Sequence, residues 1–338
     1  MHPELFRIPF TDLTVKSYGV LMVFGFMCAI YIIRKLSRGM GENEDHVTTA
    51  ALYSLIAGVA GSRLFYVVHY WSQFKGRGIL EIFAVWDGGL ELLGGVLTTI
   101  SVIVIYLRVK GLPIRRYLDI LAVGLMMALA FGRIGCLFSG CCFGRPTNSC
   151  LAIHFPYNSF AYNSQVRPDD NRHREKPYME LPADYFGYMD ENGKWLDAPE
   201  TVKYDYVLKP KEMLSPQQKV EVSKGGKYRC RGVIPTQLYE SFSALIGCAL
   251  LYLHRRKGIQ YYQKGCRVPF FFRCGQTFGL LFIVYGIMRF TIEFFRDDNP
   301  IGYFGLTISQ NLSVALFAIS VLLIIVFGNM KQTPYARR

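Results

Sequence analysis

Apolar positions fall in seven continuous runs, at residues 18–33, 47–70, 89–107, 117–138, 234–253, 277–295 and 310–327, with polar stretches between them. Each run approaches the roughly 20 residues a helix needs to cross the hydrocarbon of a bilayer. None alternates with the period of two that marks a barrel strand, and a bilayer admits only helices or closed barrels. The pattern therefore predicts an all-α membrane protein, a seven-transmembrane-helix bundle. One long stretch, 145–232, breaks the rhythm. It is rich in Pro, Asn, Asp, Lys and Tyr and holds no span, so it reads as an exterior insertion of mixed α+β or irregular structure. Its apolar pieces at 151–155 and 204–208 are candidate strands. The chain then divides into 1–144 with spans one to four, the insertion 145–232, and 233–338 with spans five to seven and a tail.

Charge sets the orientation. The 338 residues are 51% hydrophobic and carry a formal charge of +13. Such a basic balance invites nucleic acid, but the Lys and Arg residues gather in short loops between spans, which is the signature of membrane topology and of attraction to anionic lipid. Arg34, Lys35 and Arg38 follow span one. Arg108, Lys110, Arg115 and Arg116 follow span three, and Arg255, Arg256, Lys257, Lys264, Arg267 and Arg273 follow span five. Lys331, Arg337 and Arg338 close the tail. The opposite side holds Lys75 and Arg77 after span two, and Asp297 and Asp298 after span six. The expectation is an N-terminus outside and a C-terminus in the cytoplasm. Residues 1–17 lack a basic start followed by an apolar run, so the first span is expected to insert as its own signal.

With that orientation, the unusual polar residues all lie at the outer ends of spans. These are Tyr18; Arg63; the stretch Asp87-Gly88-Gly89-Leu90-Glu91 with Gly94-Gly95; Gly132-Arg133-Ile134-Gly135; Gly144-Arg145; Gln237, Tyr239 and Glu240; Arg289, Glu293 and Arg296; and Gln310. Charge at membrane depth is costly and rarely placed without a partner or a task. Arg289, Glu293 and Arg296 are spaced four and three apart and so share one helical face. Taken alone, that trio reads equally as an internal salt bridge or as arginines reaching for headgroups. With Arg133 and Arg63 at the same level, carboxylates are too few to neutralise the arginines, which points to an anionic ligand. The planar guanidinium fork suits a lipid phosphate. The glycine pairs read either as close helix packing or as bare backbone beside a headgroup.

The nine cysteines are scattered. Cys28 and Cys248 lie in apolar runs and read as core filler. Cys150 and Cys230 bracket the insertion, either as a disulfide at its base or as two free thiols. Cys136, Cys141 and Cys142 have a spacing that is not a standard zinc pattern, with no His beside them, so no metal is expected. Packing residues or free thiols are the first reading, a loop disulfide the second and a metal the last; thiols beside Arg133 would be activated as nucleophiles.

The motifs taken together resemble the prolipoprotein diacylglyceryl transferase family. The resemblance is carried by Gly132-Arg133-Ile134-Gly135 with Gly144-Arg145-Pro146-Thr147, by Asp87-Gly88-Gly89 through Gly94-Gly95, and by Pro235-Thr236-Gln237-Leu238-Tyr239-Glu240. Arg289-Phe290 with Glu293-Phe294-Phe295-Arg296, Tyr18-Gly19, and Leu306-Thr307 with Gln310 extend it over the chain apart from the insertion. The resemblance implies an enzyme of a bacterial cytoplasmic (inner) membrane that moves diacylglyceryl from phosphatidylglycerol to the lipobox cysteine beside a preprolipoprotein signal peptide, with no cofactor and no nucleic acid. By the same resemblance Arg133 and Arg289 hold the headgroup phosphate and Glu293 holds an arginine in place. Tyr18, Gln237, Tyr239 and Glu240 line the cavity. The chain departs from the family at three positions: Leu93 stands where the family usually has His, Cys136 where it has Asn, and Cys141 where it has Glu. Glu91 and Tyr18 are the remaining candidates to accept the thiol proton. Two other readings stand beside the transferase: a lipid-binding membrane protein without the chemistry, and an outward-facing thiol-redox protein.

Overall fold

Long helices stand at all seven apolar runs. The computed structural model describes residues 4–7, 14–75, 78–85, 89, 91–191 and 193–332. In chain order the elements are β1 (Glu4–Arg7), β2 (Thr14–Lys16), α1 (Ser17–Met40), α2 (Glu44–His69), α3 (Trp71–Phe74), α4 (Ile79–Ile82), α5 (Leu92–Val109), α6 (Ile114–Ser139) and α7 (Phe160–Gln165). Then come β3 (Phe186–Met189), β4 (Trp195–Asp197), β5 (Val207–Leu208), α8 (Pro216–Glu221), α9 (Thr236–Gln263), α10 (Gln276–Glu293) and α11 (Ile308–Asn329).

By length and composition, α1, α2, α6 and α11 can each cross a membrane, and α5 carries a shorter apolar helix at Gly94–Val109. Large apolar side chains such as Met27, Tyr31, Ile56, Val68 and Leu322 are exposed along these helices, as expected where lipid is the solvent. The chain is a helical membrane protein. Among the described residues α9 and α10 fall outside the crossing set, and they carry Gln237, Glu240, Arg289 and Glu293. The polar residues that lower their hydropathy are those that single them out chemically.

The chain forms two compact units. Unit two comprises Phe26–Met127, Gly247–Phe282 and Ile319–Arg338. In it α2 packs along α5, made possible by glycines on both. A Cβ at Gly61 would collide with Thr98 and the Gly94 carbonyl, and one at Gly95 with Ser62 and the Gly58 carbonyl. Small residues let the two backbones approach closely, as membrane helices require when lipid provides no hydrophobic drive. The unit also holds a buried pair, Arg255 Nη1 to Asp119 Oδ2 at 3.1 Å. Asp119 in turn accepts the backbone N–H of Gly275 (2.8 Å) and of Phe278 (2.9 Å) at the start of α10. Arg255 reads as a loop residue in the sequence, but α9 continues past the apolar run to Gln263 and carries it inside.

Unit one comprises Met1–Gly25, Ala128–Ile246 and Ile283–Ala318, and contains the whole of 145–232. That stretch has its own apolar core, with Phe155, Tyr162, Leu181, Tyr185 and Phe186 fully enclosed. Its sheet has the order β4-β3-β5, all antiparallel, with Gly187 opposite both Asp197 and Val207. Of the two expected strands, Val207–Leu208 is a strand, whereas the 151–155 piece makes only an isolated bridge from Ile153 to Val233. Cys150 and Cys230 are both free thiols, the first exposed and the second buried.

Candidate functional site

Three chain segments are stitched together at the heart of unit one. Gly144 N donates to Ile234 O (3.1 Å), Arg145 N to Phe295 O (2.9 Å), Ile234 N to Arg145 O (3.0 Å) and Asp297 N to Phe143 O (3.2 Å). The link from α6 therefore lies between the start of α9 and the end of α10. A Cβ at Gly144 would strike the carbonyls of both Ile234 and Phe295, so only glycine lets the three backbones meet. This junction brings Arg133 of α6, Glu240 of α9 and Arg289 of α10 onto one spot.

Glu240 is the hub. Its side chain is fully buried, with Oε2 2.7 Å from Arg133 Nε and Oε1 2.5 Å from Arg289 Nη1 and 3.5 Å from Arg296 Nη1. Glu293, also buried, has Oε2 3.0 Å from Arg289 Nη2 and 3.8 Å from Arg296 Nε, while Oε1 accepts from Asn299. Arg296 forks onto Asp298 through Nε and Nη2, each at 2.8 Å, the paired geometry guanidinium favours with a carboxylate. Arg133 Nε, Glu240 Oε2 and Glu293 Oε2 lie close to opposite charges but off the line of a hydrogen bond. These contacts are coulombic and leave hydrogen-bonding capacity unused. Arg133 is the most open of the three arginines, 16% exposed against 9% for Arg289 and 4% for Arg296.

Two expectations change here. The sequence suggested an excess of arginine, but Arg133, Arg289 and Arg296 meet Glu240, Glu293 and Asp298, three against three, because Glu240 and Asp298 fold in from elsewhere. Arg296 does not continue the α10 face. The helix ends at Glu293, and a turn with Arg296 N donating to Glu293 O carries it to the cluster.

Around this core, Thr236 Oγ1 donates to Cys142 O and Gln237 Nε2 to Cys141 O, both at 2.7 Å. Gln310 Oε1 accepts Thr307 N and Thr307 Oγ1 accepts Gln310 N, a reciprocal cap that starts α11. That cap sets Ser309, whose Oγ accepts from Arg289 Nη2 at 2.8 Å. Gly132 and Gly135 face α1, where a Cβ on Gly135 would overlap the Tyr18 ring. Tyr18 and Tyr239 are exposed, as is Arg145. The insertion contributes residues the sequence did not single out. Arg172 Nη2 donates to Arg296 O (2.8 Å), Arg174 pairs with Asp297 (3.2 Å) and Tyr178 donates to Asp297 (3.2 Å), so the insertion grips the turn after α10. Burial raises the Asp297 carboxyl against the opposing pull of Arg172 and Arg174. Asp298, Asn299 and Ser309 were also missed. Their spacing carries no signal, since only the fold brings them to Arg289 and Arg296.

The remaining candidates lie in unit two. Arg63 donates from Nε to Ile82 O (2.8 Å), from Nη1 to Gly89 O (3.3 Å) and from Nη2 to Glu81 O (2.6 Å). Its guanidinium thus binds carbonyls at the end of α4 and at Gly89. Gly89 has φ +67°, and a Cβ there would overlap Tyr66. Glu91 N donates to Ser62 O, and its carboxylate lies 3.4 Å from His69 Nδ1. Gly94 and Gly95 pack α5 on α2. Gly88 lies outside the described residues.

Comparison with known proteins gives a consistent answer. The family model described as "Prolipoprotein diacylglyceryl transferase" matches residues 3–326. A phosphatidylglycerol–prolipoprotein diacylglyceryl transferase of Streptococcus pneumoniae (strain Hungary19A-6) is 28% identical over 96% of this chain and 93% of its own length. The one from Streptococcus uberis is 26% identical over 95% and 94%. The one from Clostridium tetani is 29% identical over 48% of this chain and 63% of its own length, so this match spans under two thirds of that relative.

Proposed function

We propose, because the chain belongs to the prolipoprotein diacylglyceryl transferase family, that it transfers diacylglyceryl from phosphatidylglycerol to the lipobox cysteine thiol of a preprolipoprotein. Glycerol phosphate is released, and the step is the first in lipoprotein maturation. The observation that carries this reading is one buried carboxylate, Glu240 of α9, gathering three guanidinium groups from two other segments, α6 and the end of α10 with its following turn.

The bond that breaks joins the glyceryl methylene to the phosphate oxygen. Negative charge develops on the departing glycerol phosphate, and fixed guanidinium groups in a water-poor site stabilise it. Arg133, the most open of the three, meets the phosphate first, with Arg289 behind it. Glu293 holds Arg289 and Arg296 in register, and Glu240 keeps the three cations together until the anion replaces part of its contact. Tyr18, Tyr239, Gln237, Gly132, Gly144, Arg145 and Gln310 shape the surroundings of the lipid. The glycine-rich stretch with Arg63, Gly88, Gly89, Glu91, Gly94 and Gly95 is assigned to substrate binding by the family resemblance. The seven long helices are the seven spans of a protein of the bacterial inner membrane, with the insertion and the N-terminus outside. The residue blocks 1–144, 145–232 and 233–338 are assigned as four spans, insertion and three spans.

The test is direct. Purified protein incubated with phosphatidylglycerol vesicles and a lipobox peptide releases glycerol phosphate and forms a thioether-linked lipopeptide. Absence of both products, with the lipid still bound, favours a lipid-binding protein instead. Leu93 in place of the family's usual His is the observation on that side.

A further inference from the structure

Three sulfurs converge beside the arginine cluster. The Sγ atoms of Cys136, Cys141 and Cys142 all lie within 4.8 Å of one another, and all three are free and half-buried. Their meeting follows from local backbone. Cys136 sits in the last turn of α6. Gly140, with φ +75°, ends the helix as Cys141 N returns to Cys136 O (3.2 Å), a closure that favours glycine in the left-handed region. Cys142 itself has φ +59°, a conformation few side chains adopt, whose cost must be met by surrounding contacts. Those contacts are present: Thr236 and Gln237 hold the carbonyls of Cys142 and Cys141 at 2.7 Å. The thiols are thus fixed by the same α9 turn that carries Glu240. Arg133 Nη1 also points at Cys142 Sγ, 3.6 Å away.

We propose that these three cysteines form a thiolate site for a thiophilic divalent cation of the zinc class. Its fourth position takes the acceptor thiol of the substrate protein. Three sulfurs on a tetrahedral ion with bonds of about 2.3 Å stand about 3.8 Å apart, so the widest pair closes by roughly 1 Å on binding. Soft thiolates select such ions over magnesium or calcium. Three protein ligands with one open position is the arrangement of catalytic rather than structural zinc. Three thiolates and a divalent ion leave one negative charge, and a bound acceptor thiolate adds a second, beside the guanidinium of Arg133.

The chemistry follows, and it rests on the transferase reading. A thiol bound to such an ion loses its proton to solvent and becomes thiolate at neutral pH. The thiolate sulfur attacks the glyceryl methylene carbon. The C–S bond forms, the C–O bond to phosphate breaks, and the electron pair leaves with glycerol phosphate against Arg133. The ion stays divalent and nothing is oxidised. This supplies the thiol activation that a His at position 93 would otherwise provide, and it accounts for Cys136 and Cys141 departing from the family pattern together.

The full-length protein, reduced and in detergent, is titrated with Co²⁺ as the spectroscopic probe. A sulfur-to-cobalt charge-transfer band saturating at a single equivalent is expected, with affinity falling more than about a hundredfold in Cys142→Ser and in Cys136→Ser. No band in the wild type overturns the site, as does recovery of two of the three cysteines as a disulfide from protein isolated without reductant. Chelation is expected to lower glycerol phosphate release at least about tenfold and Zn²⁺ to restore it. Release that ignores the chelator while the band is present overturns the activating role. A band without release under any metal condition leaves the site standing and sinks the transferase reading, so the two failures are told apart.

Discussion

The two units each bury charge, and they do so differently. In unit two, Asp119 and Arg255 are both fully buried, and Asp119 also accepts the N–H groups of Gly275 and Phe278. The carboxylate caps a helix and neutralises one cation, an arrangement with the marks of a structural role. In unit one, Glu240 is equally buried but serves three guanidinium groups, with one oxygen close to Arg133 yet off its hydrogen-bond line. One carboxylate shared by three cations can give way to an incoming anion; one tied to a helix start by two backbone N–H groups cannot. Buried charge alone is therefore a poor guide to a functional site in a membrane protein. How many cations share one carboxylate discriminates better.

The largest effect is expected at Glu240. Glu240→Ala leaves three guanidinium groups facing one another, which should lower stability by about 3–5 kcal/mol and abolish glycerol phosphate release; melting in detergent and the release assay read the two. Asp119→Ala should lower stability by a similar ~3–5 kcal/mol while release per folded molecule stays at the wild-type level. Equal loss of release in both variants would remove the distinction between the units. Arg133→Ala should show the reverse of Asp119→Ala. Its side chain sits at the open edge of the cluster, so the melting temperature changes little, but release falls about 100- to 1000-fold as one donor to the developing charge is lost.

A packing change in unit two provides a control. Gly61→Ala places a Cβ against Thr98 and the Gly94 carbonyl, and overpacking of this kind costs about 1–3 kcal/mol. Release per folded molecule should hold. A large fall in release from this variant would mean that the α2–α5 interface does more than hold two helices together.

Much of the fold was legible because lipid imposes a simple rule: runs of apolar residues must be helices. The polar residues that matter were legible for the same reason, since Arg133, Glu240, Arg289 and Glu293 stand out in an apolar background. Tertiary sharing was not. Nothing in the spacing of Glu240 says that it serves three arginines, and Asp298 looked like a loop charge until the turn after Glu293 brought it back. Asp119 was passed over and Arg255 was taken for a loop residue, because a helix that outruns its apolar stretch carries its last residues inward without a sequence signal. Arg172 and Arg174 lie in a polar insertion where one arginine looks like any other. The three cysteines were visible, but their spacing matches no standard metal pattern. Only the left-handed turns at Gly140 and Cys142 bring the sulfurs together.

The smallest test compares two helix caps. Thr307 caps α11 in unit one, and Asn43 caps α2 in unit two by accepting Asp45 N at 2.8 Å. Loss of either cap by substitution with Ala should cost ~1 kcal/mol, so the two variants should melt alike. They should differ in chemistry. The first turn of α11 holds Ser309 against Arg289, and loosening it lets that guanidinium wander. Release in Thr307→Ala should therefore fall, by no more than about fivefold, the rate equivalent of ~1 kcal/mol. Asn43→Ala has no such link to an arginine of the cluster and should release glycerol phosphate at the wild-type rate. Matched stabilities with unmatched rates would tie turnover to the aim of Arg289. Matched rates would mean that Ser309 is a bystander, and that the guanidinium is held well enough by Glu240 and Glu293.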